Sequence, residues 1–347
     1  MGDLIEKPKI FFKREDAPAG AEVIDAFPGA LKELFFVENP RLKKNMPEAA
    51  GALDEFLKNH GISDIWIYYP WSNKVVRCLP EDLYFKLRTA RNRNIITDEE
   101  QKKYRAAKVG VVGLSVGSAI VSALVMSGGT KVLKIADFDE VEISNLNRIR
   151  AKLTDVGTNK TTVSAREVWE LDPFAELYLY EFGVTKENLD EFIAGEPKLD
   201  IFIDEMDSVE MKAMARLVCK KEKIPVLMAT DNGDNVLLDV ERFDLEPGRP
   251  IFHGLVEEKE VINASNLSYG EWVKLVTKIV DPNYLPQRMI ESVSEIGKTV
   301  AAIPQLGPTA AVAGAAMAYA VRKIANGQPM PSGRYVINLE EDLSKAL

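Results

Sequence analysis

The sequence predicts an α/β fold: a Rossmann-like mixed sheet with helices on both faces, preceded by a small N-terminal α+β unit and followed by a C-terminal extension. Three observations carry this reading. From Lys108 onward, short apolar runs alternate with segments of helical apolar spacing, the pattern of a sheet covered by helices. A glycine-bearing turn, Gly110-Val-Val-Gly113-Leu-Ser-Val-Gly117-Ser118, joins the first of those runs to the first of those helices. The length, 347 residues with 46% hydrophobic and 28% charged side chains, allows two or three domains and a large core. The boundaries are read as 1–85, 86–243 and 244–347.

In the first segment Ile10–Phe12 reads as a strand, Gly29–Val37 and Pro47–Asn59 as helices, and Ile65–Tyr69 and Lys74–Cys78 as strands joined by a turn at Pro70–Asn73. Residues 81–106 read as helical, interrupted at Asn94–Thr97, with Thr97-Asp-Glu-Glu100 as a capping box. Strands follow at Lys108–Val112, Lys131–Ala136, Leu177–Phe182, Leu199–Ile203 and Pro225–Ala229. Helices fall between them at Ser115–Ser127, Thr158–Leu171, Glu187–Ala194 and Ser208–Lys221. Val236–Phe243 reads as an added edge strand, residues 244–305 as a cover of short helices and loops, Pro308–Ala325 as a helix of small residues suited to close packing at a dimer interface, and Arg334–Leu339 as a last strand. The N-terminus lacks an apolar signal core, and no uncharged apolar run reaches the ~20 residues that span a bilayer.

A net charge of −9 argues against bulk nucleic acid or an anionic membrane surface as the main partner. Cys78 and Cys219 form no C-x-x-C pair and lie in apolar patterns, so they read as buried hydrophobes, and the cytoplasm is the expected compartment.

The glycine turn departs from G-x-G-x-x-G: Gly113 fits, Ser115 replaces the second glycine, and Gly117 and Ser118 stand near the third. Between a strand and a helix, such a turn offers free N–H groups to phosphate. Asp137 ends the next strand, where a carboxylate takes ribose hydroxyls in either a nicotinamide or an adenine nucleotide. The run Asp137-Phe-Asp-Glu-Val-Glu-Ile-Ser-Asn-Leu-Asn-Arg148 then favours ATP. Carboxylates, an amide and a guanidinium within twelve residues suit ribose, metal and phosphate oxygens together. Lys160 stands at a helix start, where the dipole disfavours a cation unless an anion is bound. Asp204, Glu205 and Asp207 crowd three carboxylates at a strand end; magnesium would relieve them, and Asp207-Ser-Val-Glu210 also reads as a capping box.

Together these residues resemble the ThiF/MoeB family of adenylating enzymes, related to ubiquitin-activating enzymes, from about Arg88 to Phe243. Pro70-Trp-Ser, Leu79-Pro-Glu-Asp82, Val240-Glu-Arg-Phe-Asp244 and Ser332-Gly-Arg-Tyr335 resemble a bacterial branch of it. The resemblance implies an ATP-binding adenylation domain over 86–243. Nucleotide would lie at Gly113, Ser115 and Gly117, ribose at Asp137, and phosphates among Asp139, Asn145, Arg148 and Lys160, with magnesium on Asp207. It also implies a homodimer in which Arg93 reaches the partner's ATP. The family's zinc cysteines and an acceptor cysteine are missing here. The expected reaction is therefore ATP- and magnesium-dependent adenylylation of a carboxylate, of a protein, peptide or small molecule, releasing pyrophosphate without a thioester. The N-terminal unit is a candidate for substrate recognition. The rival readings are an NAD(P) dehydrogenase and a catalytically silent nucleotide-fold scaffold.

Overall fold

The computed structural model describes residues 5–280 and 282–344, so residues 1–4, where the reading of a missing signal core begins, lie outside the described residues. The chain divides into two compact units, residues 1–98 with 172–174, and residues 99–171 with 175–347.

The first unit contains strand β1 (Lys9–Phe11), β2 (Glu22–Asp25), helix α1 (Phe27–Glu38), α2 (Pro47–Asn59), β3 (Ile65–Tyr69), β4 (Lys74–Cys78) and α3 (Glu81–Arg88). Its sheet has the order β1-β3-β4-β2. β3 and β4 form the expected hairpin, Ile65 opposite Cys78 and Tyr69 opposite Lys74, and Asn73 turns it with a φ of 51°. Ile65, Ile67 and Tyr69 alternate inward, the period of a strand with one face in a core. α1 buries Phe27, Leu31, Leu34 and Phe35. β2 was not anticipated; all four of its residues are exposed, so no apolar alternation marks it. After α3, a 3-10 turn at Ala90–Asn92 and a left-handed Asn94 (φ 71°) break the helical run. The Arg88 guanidinium lies 3.0 Å from the Asp172 carboxylate within this unit.

The second unit runs α4 (Asp98–Ala106), β5 (Lys108–Val112), α5 (Val116–Met126), β6 (Val132–Ala136), α6 (Lys160–Leu171), β7 (Glu176–Tyr180), α7 (Leu189–Ala194), β8 (Ile201–Asp204) and α8 (Val209–Glu222). It continues with β9 (Val226–Asn232), β10 (Asn235–Glu241), α9 (Glu258–Ile262), α10 (Tyr269–Val280), α11 (Gln287–Ser294), α12 (Gly307–Ala325), β11 (Gly333–Asn338) and α13 (Leu339–Ser344). The sheet order is β11-β10-β9-β8-β5-β6-β7. From β9 to β7 neighbours are parallel, while β10 and β11 are antiparallel additions. This corrects one expectation: Val236–Phe243 is not the edge, because β10 lies between β9 and β11 and is buried along its whole length. The chain steps outward from β5 through β6 to β7, then returns to the other side of β5 as β8. That reversal opens a crevice at the carboxyl ends of β5 and β8, where open α/β sheets take their ligands.

The small side chains of α12 are used within the chain. A Cβ on Gly314 would lie 2.6 Å from the Ala119 carbonyl of α5, so the two helices pack nearly backbone to backbone. Among the described residues no helix is long and apolar enough to cross a membrane.

Candidate functional site

A cavity of about 980 Å³ opens at the reversal between β5 and β8. Of the expected site residues, Ser115, Asp139, Asn145, Arg148, Lys160 and Asp207 line it; Gly113, Gly117 and Asp137 do not.

Those three build the floor on which the others stand. Gly113 has a φ of 92°, and a Cβ there would fall 2.2 Å from the Glu205 carbonyl oxygen, so the turn after β5 and the strand end of β8 meet without a side chain between them. A Cβ on Gly117 would lie 3.1 Å from Val111 Cγ1, which brings α5 close onto the sheet. Asp137 is 8% exposed, and its carboxylate accepts the Leu114 N–H at 2.6 Å and the Asp139 N–H at 2.8 Å. Burial pushes its pKa up, and the two amide donors and Lys160 oppose that rise. One carboxylate thus ties the turn after β5 to the loop after β6.

That loop then forms a 3-10 turn at Ile143–Asn145. The Glu142 N–H donates to the Asn145 side-chain oxygen at 3.1 Å, so this carboxamide braces its own loop. Arg148 follows. Its Nε donates to Ser115 Oγ at 3.1 Å, and one terminal nitrogen donates to the Ser144 carbonyl at 3.2 Å and to the Asn147 side chain at 2.9 Å. Burial depresses its pKa, with Asp231, Asp207 and Glu142 acting in the other direction. Ser115, the departure from the glycine pattern, therefore holds the guanidinium in place.

Lys160 opens α6 and is 7% exposed. The anion that the helix start requires is supplied by the chain: Lys160 Nζ lies 2.7 Å from the Asp139 carboxylate, and the Lys160 N–H donates to the Asp139 carbonyl at 2.8 Å. Asp139 and Lys160 form one charged unit at the cavity wall.

The three crowded carboxylates separate in space. Asp204 is fully buried and paired with Arg216 and, at 3.2 Å, with Lys212; these cations hold its pKa down against burial. Arg216 also reaches Glu241 at 2.6 Å. Glu205 accepts the Ala229 N–H at 2.8 Å, and burial pushes its carboxyl well above the usual range. Only Asp207 is exposed at the cavity. The magnesium reading of the trio is corrected accordingly. Among the described residues no group of three or more His, Cys, Asp or Glu side chains is arranged to hold a metal; Asp204 is instead paired with Arg216 and Lys212, and Glu205 is bonded to the Ala229 N–H. The capping reading is corrected too. Ser208, whose Oγ accepts the Met211 N–H at 3.3 Å, is the N-cap of α8. Asp207 is the exposed member of the trio at the cavity, and one such carboxylate suits a magnesium ion carrying most of its oxygen ligands as water and phosphate.

Arg93 is exposed in the first unit, in an isolated bridge with Ile96. Cys78 and Cys219 are buried, and burial pushes both thiols up; neither lines the cavity. His253, isolated in the sequence, is held by Asp239 at 3.0 Å and Arg249 at 2.9 Å.

Sequence reasoning missed two contributors. Asp231 lies near the end of β9 and lines the cavity; the strand reading stopped at Ala229, which placed Asp231 in a turn. Its position at the carboxyl end of a parallel strand was the available signal. Trp272, Val276 and Ile279 of α10 form an apolar wall, legible only as helical periodicity in the cover region.

The ThiF family model matches residues 89–342. The chain is 41% identical over 280 residues to uncharacterized protein MT1398 of Mycobacterium tuberculosis (strain CDC 1551 / Oshkosh), covering 81% of this chain and 38% of that protein. It is 30% identical over 135 residues to the tRNA threonylcarbamoyladenosine dehydratase of Haemophilus influenzae, covering 38% of this chain and 51% of that enzyme. The chain thus spans less than two thirds of these relatives. A crystal structure of PaaA shares the fold with a TM-score of 0.51 at 19% identity, over 75% of this chain and 77% of that one. With the family model matching most of its length and the glycine turn, the Asp137–Arg148 loop and Lys160 meeting at one cavity, the chain belongs to the ThiF family.

Proposed function

We propose that this protein adenylylates a carboxylate, using ATP and magnesium and releasing pyrophosphate, with no thioester on the enzyme. The observation that carries the reading is the convergence of Ser115, Asp139, Asn145, Arg148, Lys160 and Asp207 on one cavity at the sheet reversal. Family membership supports adenylylation-type chemistry in general. In the reaction a carboxylate oxygen attacks the α-phosphorus, the bond from that phosphorus to the bridging oxygen breaks, and pyrophosphate leaves. Arg148 and Lys160 meet the charge that builds on the phosphate oxygens, in a partly dry site where such interactions gain strength. Asp207 is the residue for magnesium, which when bound neutralises triphosphate charge. Asp137 holds the two loops in register, and it takes ribose hydroxyls only if its amide contacts are shared.

The absence of both cysteines from the cavity supports direct use of the adenylate. The substrate is a protein, peptide or small molecule, the N-terminal unit recognises it, the active form is a cytoplasmic homodimer, and Arg93 completes the partner's site; these belong to the proposal. Calorimetric titration with ATP–magnesium and with NADH tests the nucleotide. ATP is expected to bind the more tightly, and NADH binding without ATP binding refutes the reading. Pyrophosphate exchange across candidate carboxylates then tests the reaction.

A further inference from the structure

Asp231 is 8% exposed, lines the cavity, and has no hydrogen-bond partner on either carboxylate oxygen among the described residues. A buried carboxylate left in this state is costly, and native structures keep such groups for a partner that is not the protein itself. The Arg148 charge acts on Asp231, but the hydrogen bonds of the neighbouring cations go elsewhere. Arg148 donates to Ser115, Ser144 and Asn147. Lys212 donates to the Asp204 carboxylate and to Met228 Sδ. Glu205, the other acid of this wall, already accepts the Ala229 N–H. The same cavity is lined by Trp272 and Val276 of α10, an apolar surface suited to a hydrocarbon stem.

We infer that Asp231 is the anionic anchor for a primary ammonium group on an apolar stem, so that one reactant entering this cavity carries an amine. The ammonium supplies the hydrogen-bond donors that the carboxylate lacks and adds a second positive charge to that of Arg148, and the stem lies against the α10 wall. The assignment rests on reading the cavity as the adenylylation site only for calling the amine a reactant; the anchor itself is tested without ATP. The full chain is titrated calorimetrically with phenethylammonium chloride and with 2-phenylethanol, as wild type, Asp231→Asn and Asp231→Leu. The expected result is at least tenfold tighter binding of the amine than of the alcohol to wild type, with that preference lost in both variants. Cooperative thermal melting checks that the variants are folded. Asp231→Asn is nearly isosteric and keeps the test open if the leucine variant does not fold. Equal binding of amine and alcohol to wild type overturns the inference, as does an amine preference that persists in a folded variant. So does magnesium chloride alone binding in a manner that Asp231→Asn abolishes. A parallel ATP titration of wild type separates the two failures: ATP bound without amine preference sinks the anchor, and amine preference without ATP sinks the adenylylation reading.

Discussion

Arg148 is oriented before any nucleotide arrives, because Ser115, Ser144 and Asn147 hold its guanidinium from three directions. Truncating it removes charge at the developing phosphoryl oxygens without touching the core. Arg148→Ala is expected to fold normally and lose pyrophosphate exchange by about 100-fold or more; undiminished exchange would place the phosphates elsewhere. Asp231 makes the opposite kind of prediction, in stability. Burial raises its pKa to about 6 from the usual 3.8. A carboxyl raised in the folded state favours folding when protonated, and this contribution is fully present below pH 4 and lost as pH climbs to about 6. The change is roughly 2–3 kcal/mol at most. Asp231→Asn does not ionise, so its stability relative to wild type should rise between pH 4 and pH 7.5 in urea denaturation. A pH-independent difference contradicts this. Asp139, Asn145 and Arg148 were legible as candidates because their polarity contradicts an ordinary loop, and Lys160 because it opens a helix; the structure brings all four to one cavity. Asp231 was not, since a lone acid before Asn-Gly looks like turn chemistry until β9 is seen to carry it to the cavity.

The turn after β5 is as much a packing device as a phosphate cradle. At Gly113 a methyl group would strike the Glu205 carbonyl and the backbone would be held at a positive φ, whereas at Gly117 it would meet side-chain atoms alone, the nearest a methyl of Val111 at 3.1 Å. Gly113→Ala should therefore cost about 2 kcal/mol or more, and Gly117→Ala about 1 kcal/mol. Equal losses in denaturation midpoints would mean that the approach to Glu205 is not rigid. Elements with a strong period were legible in the sequence, such as β3, β5 and α8, because one-sided or complete burial writes itself into residue choice. β2 left no trace because all its residues face water, and the inner position of β10 was hidden because its partner β11 arrives about a hundred residues later. The small residues of α12, read as a dimer-interface helix, signalled a close helix approach, and the approach the structure shows is to α5 of the same chain.

At the scale of the whole molecule, the proposed assembly makes each site depend on two chains. Mixing Arg93→Ala with Asp207→Ala subunits should restore part of the pyrophosphate exchange, since one site of each mixed dimer then holds both residues. No recovery after verified subunit exchange, or an active monomer in sedimentation, excludes shared sites. The carboxylate of Asp137 also has a consequence in time. It holds the Leu114 and Asp139 amides, and its own carbonyl takes the Thr161 hydroxyl at 3.0 Å and the Asn159 side chain at 3.3 Å. Loop amides usually exchange their hydrogens with solvent quickly through small local openings. Here those of Leu114 and Asp139 can exchange only when the Asp137 contacts break. These two loop amides should accordingly take up deuterium as slowly as the strands beneath them.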